Sequence, residues 1–256
     1  MADLDFEQHT ANDIHFFSRH VPALLASSIT ASQNNPTIVD VGCGDGHLVW
    51  SINEAGLIAV GSNVIGIDIS PRRIQRFRSL TGFEAILADG HLMPTLESAS
   101  VDLALSTMVI EHIPDEHGHA EELARILKPG GLLYLSTVVR KRGAWYFRKA
   151  PDGRRVLDPT HLREYSSSSI VLEILESAGF LIKEKHLSRL IFPIAYPFIR
   201  WIHRKWPIND VQRFFLKRST NWMEKFAVPI PRYRAIEIVA QKPFTSPNNR
   251  PLEDQI

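Results

Sequence analysis

A chain of 256 residues that is 44% hydrophobic can bury a full core and accommodates one large α/β domain, or a domain with a cap. Its single cysteine excludes a disulfide framework and a cysteine-rich zinc site. The formal net charge of +1 conceals a division: residues 1–138 hold 7 Lys/Arg against 17 Asp/Glu, residues 139–155 hold 7 against 1, and residues 183–234 hold 12 against 3. Two basic segments, both carrying aromatics, therefore sit on an acidic body. No apolar run reaches the roughly 18 residues that span a bilayer, and the acidic start MADLDFEQH lacks the apolar stretch of a secretory signal. A cytoplasmic protein is the expectation.

Along the chain, strand and helix signals alternate. After an N-terminal helical segment (1–35), TIVDVG (37–42) is a β-branched run ending in glycine, the pattern of a buried strand. A helical stretch follows over 47–59. NVIGIDIS (63–70) predicts a second strand, and Ser70-Pro71 a helix start with the serine as cap. FEAILAD (83–89) and VDLALST (101–107) predict strands three and four. A helix over 115–127 stops before Lys128-Pro129-Gly130-Gly131, and GLLYLSTVV (131–139) is strand five. A helix over 166–178, capped by Ser166 or Ser167, leads into strand six, FLIKEKHL (180–187), and YRAIEIVAQK (233–242) is the last strand. The polar tail from Thr245 reads as disordered. Such alternation predicts a mainly parallel sheet with helices on both faces.

Ligands of these sheets bind beyond the carboxyl ends of the strands, and the distinctive residues lie there. Strand one runs into Asp40-Val41-Gly42-Cys43-Gly44-Asp45-Gly46. Alternate glycines let the backbone turn sharply and approach a ligand that a Cβ would block, and the next helix start offers free N–H groups to a carboxylate. The dinucleotide fingerprint GxGxxG does not fit, because the third glycine falls one residue early. Asp68, ending strand two, can accept hydrogen bonds from both hydroxyls of a ribose. In Asp89-Gly90-His91, after strand three, a carboxylate can meet an adenine amino group and a backbone N–H a ring nitrogen.

Together these residues resemble the class I S-adenosylmethionine-dependent methyltransferases, and within them the small-molecule (type 11, ubiquinone- and menaquinone-methyltransferase-like) branch. VDVGCGDG (39–46), GIDIS (66–70), ILADG (86–90), LSTMVIEHI (105–113), LKPGG (127–131) and DPTHLREYSSSSIVLEILESAGF (158–180) carry the likeness in order. The resemblance implies a Rossmann-like, doubly wound sheet of seven strands with the last antiparallel, in a three-layer α/β/α sandwich. It implies S-adenosylmethionine as cofactor, held by Gly42, Gly44, Asp68, Asp89 and Gly90, with Met108 or Val109 near the methyl sulfonium. Asp40, Cys43, Gly46, Ile69 and His91 complete the candidate set, Cys43 as a small loop filler. The candidate bases are His112, His161 and Tyr165. His117 and His119 read as solvent-exposed, and no metal site is expected.

The core is assigned to 36–187 and 233–242 of a single domain (1–244), with a helical insertion (188–232) between strands six and seven. That insertion holds LIFPIAYPFIRWIHRKWP (190–207) and VQRFFLKRSTNWMEKF (211–226). Basic helices with Trp and Phe lie on anionic membranes or close over a substrate pocket as a lid. With GAWYFRKAPDGRR (143–155) they suggest a rim both apolar and cationic, suited to a lipid, a quinone or a sugar phosphate. The Asn/Asp-Pro-Pro-Tyr/Phe motif of adenine and glutamine methylation is missing after strand four, which argues against DNA. The expected partners are a small-molecule acceptor and a membrane surface contacted through 190–226. Two other readings stay open: a non-catalytic cofactor-binding protein at a membrane, and an RNA methyltransferase using the basic segments as a phosphate track.

Overall fold

In the computed structural model, which describes residues 19–32, 35–146, 148–150, 152–205 and 226–244, period-two alternation sorts each central strand onto two cores. Ile38, Leu103, Leu105 and Tyr134 point to one face, where they meet Leu25, Val49, Ile52, Ile74 and Phe77. Val39, Val41, Ala104, Leu133 and Leu135 point to the other, where they meet Leu123, Ile126, Val171 and Leu175. A sheet apolar on both faces has to be covered on both, so the outcome is the expected three-layer sandwich.

The helices on the first face are α1 (Ala23–Thr30), α2 (His47–Glu54) and α3 (Pro71–Thr81); those on the second are α4 (Glu116–Ile126) and α5 (Ser168–Ser177). The strands are β1 (Thr37–Val41), β2 (Asn63–Asp68), β3 (Glu84–Leu87), β4 (Val101–Thr107), β5 (Leu127–Arg140), β8 (Leu181–Pro193) and β9 (Ala227–Gln241), with β6 (Arg148–Lys149) and β7 (Arg155–Val156) forming a separate small hairpin. The main sheet has seven strands in the order β3-β2-β1-β4-β5-β9-β8. The first five are parallel, and β9 runs antiparallel to both β5 and β8. Chain order reverses across β1 and β4, so the crevice at their carboxyl ends is the switch point. Local signals hold where predicted: the Ser70 hydroxyl accepts from the Arg73 N–H at 3.2 Å, Pro71 takes the first turn, and Ser167 caps α5.

The largest departure is at the insertion. β8 continues to Pro193 and β9 begins at Ala227, paired as Phe192↔Val228 and Pro193↔Ala227. Residues 188–193 and 227–232 are strand, not helical insertion. Alternation in Ser188-Arg189-Leu190-Ile191-Phe192 encodes this, with 188, 190 and 192 turned inward, but Pro229 and Pro231 mask it on the partner strand. Leu190 and Phe192 pack on a third cluster of Val138, Ala144, Tyr146, Leu157, Ile230 and Tyr233. The helix that remains between these strands among the described residues is α6 (Tyr196–Lys205). Most of the second aromatic-basic stretch, the start of the N-terminal segment and the tail lie outside the described residues. No described helix is long and apolar enough to cross a membrane.

Candidate functional site

The turn after β1 is built from backbone. The N–H groups of Gly42 and Cys43 both donate to the Ile67 carbonyl, at 2.7 and 2.8 Å, which pins the turn to the end of β2. Gly42 has φ +73°, and a Cβ there would overlap the Val109 side chain. Gly46 has φ +90° and caps α2; a Cβ there would press on Thr81 and Phe77. The Gly44 N–H donates to Asp68 Oδ2 and the Ser70 N–H to Asp68 Oδ1, both at 2.9 Å. Arg73 stands 3.8 Å from the same carboxylate. Ile69, beside it, is exposed and Cys43 is buried.

Asp40 and Asp68 are both buried at this turn. Neither Asp40 oxygen has a hydrogen-bond partner among the described residues. Burial, reinforced by the Asp68 charge, pushes the Asp40 carboxyl up to about 8. Burial also raises Asp68, against the pull of Arg73 and two backbone N–H groups. Two buried acids of which one is orphaned fit a cationic ligand. The expected methyl donor, carrying an ammonium and a sulfonium, would meet that demand.

The third segment is fixed from behind by a residue assigned above to solvent. His119 is fully buried, not exposed. Its Nδ1 donates to the Gly90 carbonyl at 2.8 Å, and its Nε2 accepts from the Ser106 hydroxyl at 3.0 Å. Burial pulls its pKa down to about 4, so the ring is neutral. The helical spacing His119, Leu123, Ile126 put it on the core face of α4; the acidic neighbours obscured that periodicity. His117 is exposed. Asp89 accepts from the His91 N–H, and its Oδ1 lies 2.6 Å from His91 Nδ1.

After β4, Met108 sits at φ +56° with its N–H on the Ser136 carbonyl at 2.8 Å. An unbranched side chain held in the left-handed region at the switch point marks a constrained position. Met108 is exposed and Val109 packs over Gly42, so both stand beside the turn. His112 and His161 are in ring contact, centroids 4.7 Å apart. Tyr165 stands apart from them: it is buried in the core and its hydroxyl donates to Glu116 at 2.9 Å. Sequence reasoning passed over Glu111, which is fully buried. Its Oε2 accepts from the Thr137 hydroxyl at 2.8 Å, and its Oε1 lies 3.9 Å from His161 Nε2. An acid set between the apolar run Met108-Val109-Ile110 and Ile113 was the available signal. Burial lowers the His112 pKa. At His161 burial pulls downward too, but Glu164, Glu111 and Asp158 prevail and raise it.

The basic rim is more paired than its composition suggests. Arg148 bonds Asp158 at 2.7 Å, Arg140 lies 3.4 Å from Glu164, and Arg154 bonds Asp152 at 2.6 Å. Arg155 stands over the Trp145 ring. Apolar exposure gathers at the end of the β8–β9 hairpin and on α6: Ile191, Ile194, Phe198, Trp201, Phe226 and Val228 are all exposed.

A Rossmann-like sheet with a glycine turn, a buried acid ending β2 and a constrained exit from β4 is the arrangement expected of a class I methyl-donor domain. Comparison with known proteins agrees. Residues 39–135 match the protein family described as "Methyltransferase domain". A "probable S-adenosylmethionine-dependent methyltransferase" of Mycolicibacterium smegmatis is 31% identical over 175 residues, covering 68% of this chain and 62% of that protein. A ubiquinone biosynthesis O-methyltransferase of Ralstonia nicotianae is 34% identical over 122 residues, 45% of this chain and 49% of that one. The YcgJ protein from Bacillus subtilis shares the fold, with a TM-score of 0.60 at 16% identity over 86% of this chain and 97% of its own. The chain thus carries a class I S-adenosylmethionine-dependent methyltransferase domain. It spans about three fifths of the length of the mycobacterial relatives it matches.

Proposed function

We propose that this chain transfers a methyl group from S-adenosylmethionine to a small amphiphilic acceptor of the lipid or quinone type. The observation that carries the donor half is the orphaned, buried Asp40 beside Asp68 at the glycine turn. When bound, S-adenosylmethionine supplies a methyl group on a positively charged sulfur, an electrophile that needs no further activation. The protein's part is to bind, orient and exclude water. In this reading Asp40, Gly42, Cys43, Gly44 and Gly46 hold the amino-acid end of the donor. Asp68 and Ile69 hold the ribose, Asp89, Gly90 and His91 the adenine, and Met108 and Val109 border the reacting end. Tyr165 is taken up by Glu116 and His161 stands between carboxylates, so neither is proposed as the base.

The acceptor reading rests on the exposed apolar side chains of the hairpin end and α6, and it is supported by the names of the quinone-methylating relatives. Ion pairing within the rim weakens the case for a sugar phosphate and for an RNA track, because Arg140, Arg148 and Arg154 already face carboxylates. The same exposed surface would hold the protein peripherally on a membrane. Calorimetric titration with S-adenosylmethionine tests the donor half; no heat at millimolar cofactor would sink it. Methyl-labelled donor incubated with prenylated quinols, phospholipids and short polar acids tests the acceptor. Label entering the organic phase is expected. Label appearing only in polar products or in RNA refutes the amphiphile, and binding without transfer to any acceptor favours a non-catalytic cofactor-binding protein.

A further inference from the structure

Glu111, His112 and His161 form a buried constellation that the methyl-donor turn does not use. Glu111 and His112 follow β4, and His161 lies in the loop that leads from the β6–β7 hairpin to α5. Each can offer one ligand atom, and the three atoms lie within 4.8 Å of one another. Glu111 Oε1 is buried and has no hydrogen-bond partner among the described residues, and the same holds for His161 Nδ1.

What surrounds the three side chains bears on what they hold. His112 Nδ1 is 3.2 Å from both the Thr160 carbonyl, which only accepts, and the Thr160 hydroxyl, whose own proton goes to Asp158 Oδ1 at 2.7 Å, so Nδ1 carries the proton and Nε2 the lone pair. His161 turns Nδ1 toward Glu164 Oε1 at 3.7 Å and Nε2 toward Glu111. Glu111 Oε2 is held by Thr137. Glu111 and His112 therefore each have a hydrogen-bonded outer partner, His161 has Glu164 facing its outer nitrogen, and the ligand atoms of the three lie close to one another. Outer partners of this kind are what orient imidazole and carboxylate ligands around a metal.

We propose that Glu111, His112 and His161 bind one first-row divalent transition cation, with zinc the best match. The cation clamps the end of β4 to the 158–164 loop. A set of two imidazoles and one carboxylate suits zinc and its neighbours better than magnesium or calcium, which prefer all-oxygen shells. Glu111 Oε1 and His161 Nε2, 3.9 Å apart, stand within twice a zinc bond of roughly 2.1 Å, so one ion reaches both. The widest pair has to close by roughly half an ångström to be bridged in the same way. Three protein ligands leave a fourth tetrahedral position for water or for an acceptor oxygen.

The competing arrangement is a protonated His161 shared by Glu111 and Glu164 with no metal. The two are separated by titrating the chelator-stripped full chain with ZnCl2 by calorimetry, with metal content measured after gel filtration. One ion per chain at micromolar affinity or tighter is expected, together with a rise of several degrees in Tm. Glu111→Gln and His161→Gln should each weaken binding at least tenfold, and Thr137→Val, which removes an outer partner, by roughly 10-fold. Zinc uptake no tighter in the wild type than in Glu111→Gln overturns the site. If the variants fail to fold, Co2+ added to the wild type carries the test. Visible d–d bands saturating at one equivalent support the site, and their absence overturns it.

Discussion

The two halves of the carboxyl edge are made in different ways. On the β1–β3 side the work falls to backbone: two N–H groups on one carbonyl, glycines at positive φ, and acids held by N–H groups. On the β5–β9 side it falls to side chains: paired arginines, a buried Glu-His cluster and an apron of exposed aromatics. A backbone site tolerates few residue types at each position, so its sequence is narrowly constrained. A side-chain site can be rebuilt for another acceptor without disturbing the sheet.

The sharpest way to break this contrast is at Gly42. Gly42→Val puts a branched side chain at φ +73° and into Val109. Cofactor affinity should fall more than 100-fold in calorimetry, while circular dichroism retains the native helix and strand content. A variant that binds cofactor within threefold of the wild type would mean that the turn is not the donor site.

The next effect is expected at His119, which ties the segment after β3 to β4. His119→Ala leaves the Gly90 carbonyl and the Ser106 hydroxyl without their partner and opens a cavity, at a cost of about 2–4 kcal/mol near neutral pH. In the wild type the folded pKa of about 4 lies below the unfolded value near 6.5, so acid protonates the unfolded chain first. This contribution is fully present above about pH 6.5 and is lost as the pH falls toward 4. Urea melts of wild type and variant should therefore converge on acidification by up to about 3 kcal/mol. Parallel curves would show that His119 does not titrate as its burial requires.

How much was legible follows from the same division. The first four strands, the Ser70 cap, the glycine turn and the position of Asp68 at the end of β2 could be read because each meets a local demand that few residues satisfy. The sandwich followed from alternation, Ile38 against Val39 and Leu103 against Ala104. The burial of His119 was hidden because charged neighbours disguise an inward position, and that of Glu111 because a carboxylate beside an apolar run reads as exposed by its own charge. The extension of β8 and β9 was hidden because Pro229 and Pro231 look like the end of a strand; the ladder absorbs them in a register shift, the partner passing from Arg234 opposite Arg189 to Pro229 opposite Ile191. The pairing of Arg140 with Glu164 and of Arg148 with Asp158 joins residues that composition counts separately.

A smaller effect, opposite in sign for stability and for binding, is expected at Asp40. Its folded pKa of about 8 lies above the unfolded value near 3.9, so the cofactor-free fold is favoured at low pH. That contribution is lost as the pH rises from about 4 toward 8. Asp40→Asn should stabilise the cofactor-free chain by about 1–3 kcal/mol at pH 8, flatten the slope of stability in that window, and weaken S-adenosylmethionine binding about tenfold. A variant that is both less stable and unaltered in binding would detach Asp40 from the cationic end of the donor.

The smallest effect on the donor half, and the most telling for the contrast, belongs to α6. Phe198 and Trp201 are 60% and 48% exposed and stack at 5.8 Å, with the Lys205 ammonium 4.5 Å from the Trp201 ring. An aromatic pair beside a cation suits the boundary between acyl chains and anionic headgroups. Replacing both with serine should leave cofactor affinity within twofold, because neither residue belongs to the turn. Sedimentation with vesicles rich in anionic phospholipid should drop several-fold, and the drop should shrink at high salt if the lysine takes part. If cofactor affinity fell as well, α6 would belong to a lid that closes over the donor. The clean separation of a backbone-built donor half from a side-chain-built acceptor half would then have to give way to one shared cavity.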